Sequence, residues 1–203
     1  PTFGITGVME HLRNLGVADD TIVVYFSDNG WLWGEHRLRA KNQPYDESIR
    51  APMLVRYPKL IPLPRVETRV ALNIDLAPTF AELVGAGIPL FQDGVSLVRV
   101  LDGTQPAGTW RTDLLAEAWP GSHPWAVVRE EQWKYTEIAL DPGNPATTFD
   151  VELYDLFADP YEETNVAGAH PARVTTMAAR LRQLRPNWPI DADPNGPDPL
   201  EEE

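Results

Sequence analysis

The 203-residue chain contains no cysteine. Disulfides and thiolate metal sites are thereby excluded, although the compartment is not fixed. It also lacks any apolar run close to the roughly 20 residues that a membrane-spanning helix needs. Positive charge is scarce. Against 30 Asp and Glu there are 17 Lys and Arg, and the net charge is -13. A nucleic-acid binder carries a basic face, so this balance argues against that class. The opening residues, PTFGITGVMEHL, have no basic start and no long apolar stretch, and do not read as a signal peptide. There is no initial Met, and the chain is expected to be cut from something longer.

What is present suffices for one sizeable core, since 43% of the residues are hydrophobic. Ile5, Val8, Met9 and Leu12 recur at helical spacing and predict a helix over residues 5–15, stopped by Gly16. TIVVYF (21–26) is apolar on both faces, as expected of a central strand in a parallel sheet covered by helices. Helix, short turn and buried strand make the αβ half of a doubly wound unit. APMLVRYP (51–58) reads as a second strand. NIDLAPTFAELVGAG (73–87) reads as a helix with Asp75 as its N-cap and Gly85 closing it. From about Gly103, TDLLAEAW, WAVVREEQWKYTEIAL and FDVELYDLF alternate like strands of an antiparallel sheet, and HPARVTTMAARLRQL reads as a final amphipathic helix. The closing RPNWPIDADPNGPDPLEEE is Pro-rich and acidic, and is expected to be a loosely held tail.

Between the first two strands lies SDNGWLWGEHRLRAK (27–41), where no period holds. Ligands in open α/β sheets bind beyond the carboxyl ends of strands, and Ser27, Asp28 and Asn29 sit at such an end. Asp28 offers carboxylate oxygens and Asn29 a carbonyl oxygen, hard donors suited to Ca²⁺ or Mg²⁺. Gly30 is expected to permit a sharp turn. Asp-Asn-Gly is also a common plain turn. Between Trp31 and Leu60 there are six Lys and Arg against three acids, a window of +3 in a chain of -13. Such a patch beside an acidic metal site suits an anionic ester, because metal and lysine together can hold oxygens as charge develops. A solvated charged loop has the same composition. His36 can donate to a leaving-group oxygen or a bound anion. It can equally be packed in the loop against Glu35 or backbone. Trp31 and Trp33 can platform a sugar or aryl ring, or pack the loop onto the sheet. Arg50 reads as a structural ion-pair partner.

TIVVYFSDNGWLWGEHRLRAKNQPYDESIRAPMLVRYP resembles the C-terminal half of the type I sulfatases, in the alkaline-phosphatase-like superfamily. The pattern is a hydrophobic strand, S-D-N-G, G-E-H, a Lys thirteen residues after the Asp, and Y-x-E-S-x-R-x-P before a strand. Downstream, NIDLAPTFAELVGAGIP with DGVSL, WAVVREEQWKYTEI and ELYDLFADPYEETNVAG extend the likeness over roughly residues 5–185. The resemblance implies an α/β fold: the C-terminal half of a mixed sheet flanked by helices, plus a small C-terminal antiparallel sheet with a helix. It implies three segments: residues 1–102 from the α/β core, 103–186 as a small α+β subdomain, and 187–203 as an acidic tail.

It further implies hydrolysis of a sulfate ester of a sugar or aryl alcohol, with Asp28 and Asn29 as two calcium ligands. Lys41 would bind a sulfate oxygen and His36 would share the catalytic motif, with Trp31 and Arg39 on the substrate side. The formylglycine nucleophile of the family is made from C/S-x-P-x-R. None of Ser27, Ser48, Ser96 and Ser122 begins such a motif. The chain taken alone is therefore expected to be inactive and to need a missing N-terminal half as partner. Two oxygen ligands fall short of the 6–8 that Ca²⁺ prefers. The alternatives are a phosphodiesterase or phosphonate monoester hydrolase of the same superfamily, and a non-catalytic truncated module. A soluble protein of the bacterial periplasm or cytoplasm is expected.

Overall fold

The computed structural model describes residues 4–87, 92–118, 124–141 and 148–188. The chain forms two compact units that interleave along the sequence. One comprises Pro1–Asp28 with Pro52–Arg111, the other Asn29–Ala51 with Thr112–Glu203. The expected division at residue 102 is consecutive, whereas the observed loop 29–51 belongs with the C-terminal sheet. No helix among the described residues is long and apolar enough to cross a membrane.

The first unit opens with helix α1 (Ile5–Asn14), which ends as expected at Gly16, at φ +72°. Strand β1 (Val23–Phe26) pairs antiparallel with β4 (Met53–Arg56). Here the structure corrects the sequence. β1 is not a buried central strand of a parallel sheet: Tyr25 and Phe26 are 54% and 44% exposed. Among the described residues β4 is its one strand neighbour, and a strand apolar on both faces needs cover on both. Ile5, Val8, Leu15 and Leu54 are exposed too, so this unit presents apolar surface, as a sheet lacking neighbours must.

Helix α3 (Leu76–Leu83) follows a 3-10 turn at Asn73–Asp75, and the short helix α4 (Val98–Leu101) completes the first unit. Asp75 stands at the N-cap position of α3 but makes no side-chain cap. Its carboxylate accepts instead from the N–H of Leu72 and Val95, both at 2.8 Å, and from both terminal nitrogens of Arg111 at 2.7 Å.

The second unit is built on a four-stranded antiparallel sheet, β5 (Asp113–Ala118), β6 (Trp125–Glu130), β7 (Trp133–Ala139) and β8 (Phe149–Asp155), in chain order. Helix α5 (Pro171–Leu184) covers one face. Ala126, Val128, Trp133, Tyr135 and Leu153 alternate inward there and pack with Met177, Leu181 and Trp188. Trp188 corrects the expectation for the start of the tail. It is buried, stacks on Phe149 and donates its indole N–H to Glu137 at 3.0 Å. The rest of the tail lies outside the described residues.

The opposite face carries Trp125, Arg129, Lys134, Glu152 and Tyr154. Register places Arg129 opposite Lys134 and Lys134 opposite Tyr154, in one row across three strands. An alternating strand presents such a row to water. Here segment 42–49 covers it: the Trp125 indole donates to the Asn42 carbonyl at 2.8 Å, and Arg129 grips Asp46.

Candidate functional site

Ser27 and Asp28 end β1 on the first unit, with the Ser27 N–H donating to the Pro52 carbonyl at 3.4 Å. Asp28 is exposed, and its backbone carbonyl accepts from the Asn73 side chain at 3.4 Å. Asn73 was not singled out by the sequence. Its signal was its place at the head of NIDLAP, where it also accepts from the Ile74 N–H at 2.8 Å.

Asn29 begins the second unit and donates its amide to the Gly30 carbonyl at 2.5 Å. Gly30 itself is not among the residues with positive φ, so the expected sharp turn is not its reason. A Cβ at Gly30 would lie 2.0 Å from the Glu47 carbonyl oxygen and 2.7 Å from that of Arg50. The glycine is required because two backbones touch, and its N–H donates to the Ser48 carbonyl at 2.8 Å. A Gly30→Ala substitution is expected to cost about 1–3 kcal/mol by overpacking. A urea midpoint unchanged by that substitution would show that segment 47–50 can move away.

The loop then folds into β2 (Leu32–Trp33), a 3-10 turn at Glu35–Arg37, β3 (Arg39–Ala40) and the single-turn helix α2 (Asp46–Ile49). Leu32 is its buried anchor, paired with Ala40. His36, Arg37, Ala40 and Asn42 all have φ between +52° and +68°. Each such L-residue costs about 1–2 kcal/mol, so this backbone is held by its surroundings. Strain of that kind concentrates at functional sites.

His36 stacks on Tyr45, with ring centroids 3.8 Å apart and planes 8° from parallel. Its Nε2 lies 3.4 Å from Glu47 Oε2, an oxygen that is buried without a hydrogen bond. The imidazole is thus packed, but against Tyr45 and Glu47, not Glu35. Glu35 turns back to accept from the Trp33 N–H at 2.5 Å. Tyr45 donates its hydroxyl to Glu152 at 3.4 Å. Burial, aided by the Glu152 charge, pushes its phenol up to about 12. Burial also raises the Glu152 carboxyl from its usual value.

Donor atoms of His36, Glu47 and Glu162 lie within 4.8 Å of one another. This is not a vacant cation site. The Lys134 ammonium donates to both Glu162 oxygens, at 2.6 and 2.8 Å, and supplies the positive charge from within.

The cations of the loop behave differently. Among the described residues, Arg37, Arg39, Lys41 and Arg50 pair with no carboxylate, and outside the loop only Arg13 and Arg99 share that state; the other eleven Lys and Arg are paired. Arg50 is therefore not the structural ion-pair partner that the sequence suggests; it is exposed. Lys41 is half-buried, and no carboxylate among the described residues neutralises it. Trp33 is 81% exposed, with its ring 6.0 Å from that of half-buried Trp31, so it does not pack onto the sheet.

Residues 34–187 match the family described as N-sulphoglucosamine sulphohydrolase, C-terminal. The chain belongs to that family. The resemblance to the C-terminal portion of the type I sulfatases is thereby established. Over 201 residues the chain is 31% identical to the N-acetylglucosamine-6-O-sulfatase of Bacteroides thetaiotaomicron, covering 96% of this chain and 34% of that protein. It is 30% identical to the choline-sulfatase of Rhizobium meliloti, over 91% of this chain and 35% of that one. Among solved structures, one in complex with its substrate D-glucosamine-2-N,6-O-disulfate superposes with a TM-score of 0.78 at 28% identity, over 93% of this chain and 40% of that one. The phosphonate monoester hydrolase of Agrobacterium radiobacter superposes with a TM-score of 0.79 at 27% identity, over 90% and 38%. The chain spans about a third of the length of these curated relatives. These matches carry the expected fold class, an α/β sulfatase architecture ending in a four-stranded sheet and helix.

Proposed function

We propose that the protein containing this chain hydrolyses a sulfate ester and that loop 29–50 supplies its anion-binding surface. The observation that carries the reading is the set of cations without a carboxylate among the described residues, Arg37, Arg39, Lys41 and Arg50, on a loop held in strained backbone within a chain of net charge -13. In so acidic a protein a half-buried ammonium without a carboxylate is set for an external anion. Lys41 binds a non-bridging sulfate oxygen. His36, whose ring stacks on Tyr45, would donate a proton or hydrogen bond toward the leaving-group side. Trp33, Trp31 and Arg39 offer an exposed aromatic and cationic surface to a sugar ring and its further sulfates. Two sugar sulfates among the matched proteins, the N-acetylglucosamine-6-O-sulfatase and the complex with glucosamine disulfate, favour a sulfated amino sugar as substrate.

Asp28 and Asn29 would hold calcium. Their donors are oxygens of the right hardness, and Asp28 is exposed. They furnish only part of a shell, the remainder coming from segments outside this chain. When bound, the ion would add positive charge against the ester oxygens. The nucleophile is likewise supplied from outside this chain.

The test is turnover by the whole natural protein of an amino-sugar sulfate, an aryl sulfate and an aryl phosphodiester, each with and without chelator. Release of sulfate that is lost in Asp28→Ala is the expected result. Turnover of the phosphodiester alone would favour the second reading, which the phosphonate monoester hydrolase likeness supports. No turnover of any of them would leave the non-catalytic module.

A further inference from the structure

We propose that Lys134, Glu162 and Arg129 are positioning residues: a largely buried charge cluster, on the C-terminal sheet and the loop after it, that sets the path of the loop carrying His36 and Lys41. The cluster lies beneath the segment that follows those residues. Lys134 and Glu162 are 0% and 2% exposed, and their pair closes over Asp46. Glu162 accepts from the Asp46 N–H at 3.1 Å, and Lys134 donates to the Asp46 carboxylate at 3.2 Å. Arg129 donates to both Asp46 oxygens, at 3.1–3.2 Å. Asp46 is thus held at its backbone and at its side chain by three charged groups from the sheet side.

The hold passes to the candidate site by short covalent and packed steps. Tyr45, next to Asp46, carries the ring on which His36 stacks. Glu47, next on the other side, faces His36 Nε2. Ser48 receives the Gly30 N–H on its carbonyl and the Gln43 N–H on its hydroxyl. The residue after Lys41, Asn42, has its carbonyl held by Trp125 from the same sheet face. Loss of the Asp46 anchor therefore releases His36 through Tyr45 and Glu47 and slackens the Lys41 side through the Ser48–Gln43 bond, with Trp125 left as the remaining hold on Asn42.

Two features separate this cluster from an ordinary stabilising ion pair. Replacing a buried pair by apolar groups is often neutral or stabilising, so stability alone is a weak reason for its presence. And Glu162 adopts φ +55°, a strained backbone for a glutamate, which the fold tolerates in order to aim its carboxylate. Burial pushes that carboxyl up to about 7 against the pull of Lys134, a further sign of how dry the cluster is.

The experiment uses the whole natural protein with two variants, Lys134→Met/Glu162→Gln, which removes the pair without orphaning a charge, and Asp46→Asn, which alters the loop side alone. Amide exchange is expected to speed up about tenfold or more at residues 29–50 in both, with α5 unchanged. Exchange that stays unchanged at 29–50, or that rises uniformly with a lower unfolding midpoint, would overturn the proposal. The kinetic arm rests on the sulfatase reading: a misplaced loop raises KM as well as lowering kcat, whereas mere loss of folded protein lowers apparent kcat at constant KM. Exchange changes in a protein that turns over no sulfate ester would sink the functional reading and leave the positioning role standing.

Discussion

Lys41→Ala in the whole protein is expected to lower kcat/KM for a sulfate ester by about 10²–10³, the loss that follows removal of one preorganised charge contact. Lys41 is half-buried and meets no carboxylate among the described residues, so its charge is not spent on the fold. Truncation should therefore change catalysis and leave the unfolding midpoint within a degree or two of the parent. Lys41→Arg separates charge from shape. A guanidinium keeps the charge but replaces a compact donor by a planar fork, so recovery should be partial. If the contribution is an attraction to the ester anion, the parent's kcat/KM should also fall with added salt, and the Ala variant's should fall less. Steady-state kinetics at two ionic strengths check all of this. A near-normal rate for Lys41→Ala would remove Lys41 from the site. The neighbouring unpaired cations, Arg37, Arg39 and Arg50, would then be the ones to examine as anion ligands.

The elements themselves were legible because their signals are local. Helical spacing in ITGVMEHLRN, alternation in the strands from Asp113 to Asp155, and Gly16 and Gly85 at helix ends all lie within a few residues of what they specify. The candidate residues were legible by a fixed string, from Asp28 to Arg50. What escaped was tertiary. Gly30 reads as a turn, yet it is small because the Glu47 backbone touches it. Asp75 reads as a helix cap, yet it serves Arg111 and two loop amides. Lys134 and Arg129 occupy the polar phase of their strands, which alternation assigns to solvent. Only the covering segment 42–49, some ninety residues earlier, makes them interior. Trp188 sits in a Pro-rich acidic string, and nothing local reveals that its ring fills the core beside Phe149. The strained φ values of Arg37 and Ala40 also have no signature in residue type, whereas His36 and Asn42 are of types enriched at positive φ.

The largest stability effect is expected at Asp75. Asp75→Ala should destabilise the first unit by about 3–5 kcal/mol, the cost of breaking a buried pair from one side. The carboxylate is 0% exposed and receives four hydrogen bonds of 2.7–2.8 Å, two from the Arg111 guanidinium and two from the backbone of Leu72 and Val95. Removing it strands a largely buried cation and two N–H donors together. Its own backbone carbonyl accepts from the Thr79 hydroxyl, which in turn accepts from the Leu97 N–H at 2.8 Å. The loop at residues 94–97 is thereby fastened to α3 at two points, one through the side chain of Asp75 and one through Thr79. Amide exchange at Val95 and Leu97 should rise first, ahead of the sheet in the second unit. Arg111→Met should cost nearly as much, since it leaves the anion without its counter-ion. The double variant Asp75→Ala/Arg111→Met should cost less than the sum of the two, because each single change already forfeits the same pair. Denaturant titration of the three variants measures that coupling. Additive losses would mean that Asp75 and Arg111 act separately, and that the two backbone amides alone account for the burial of the carboxylate.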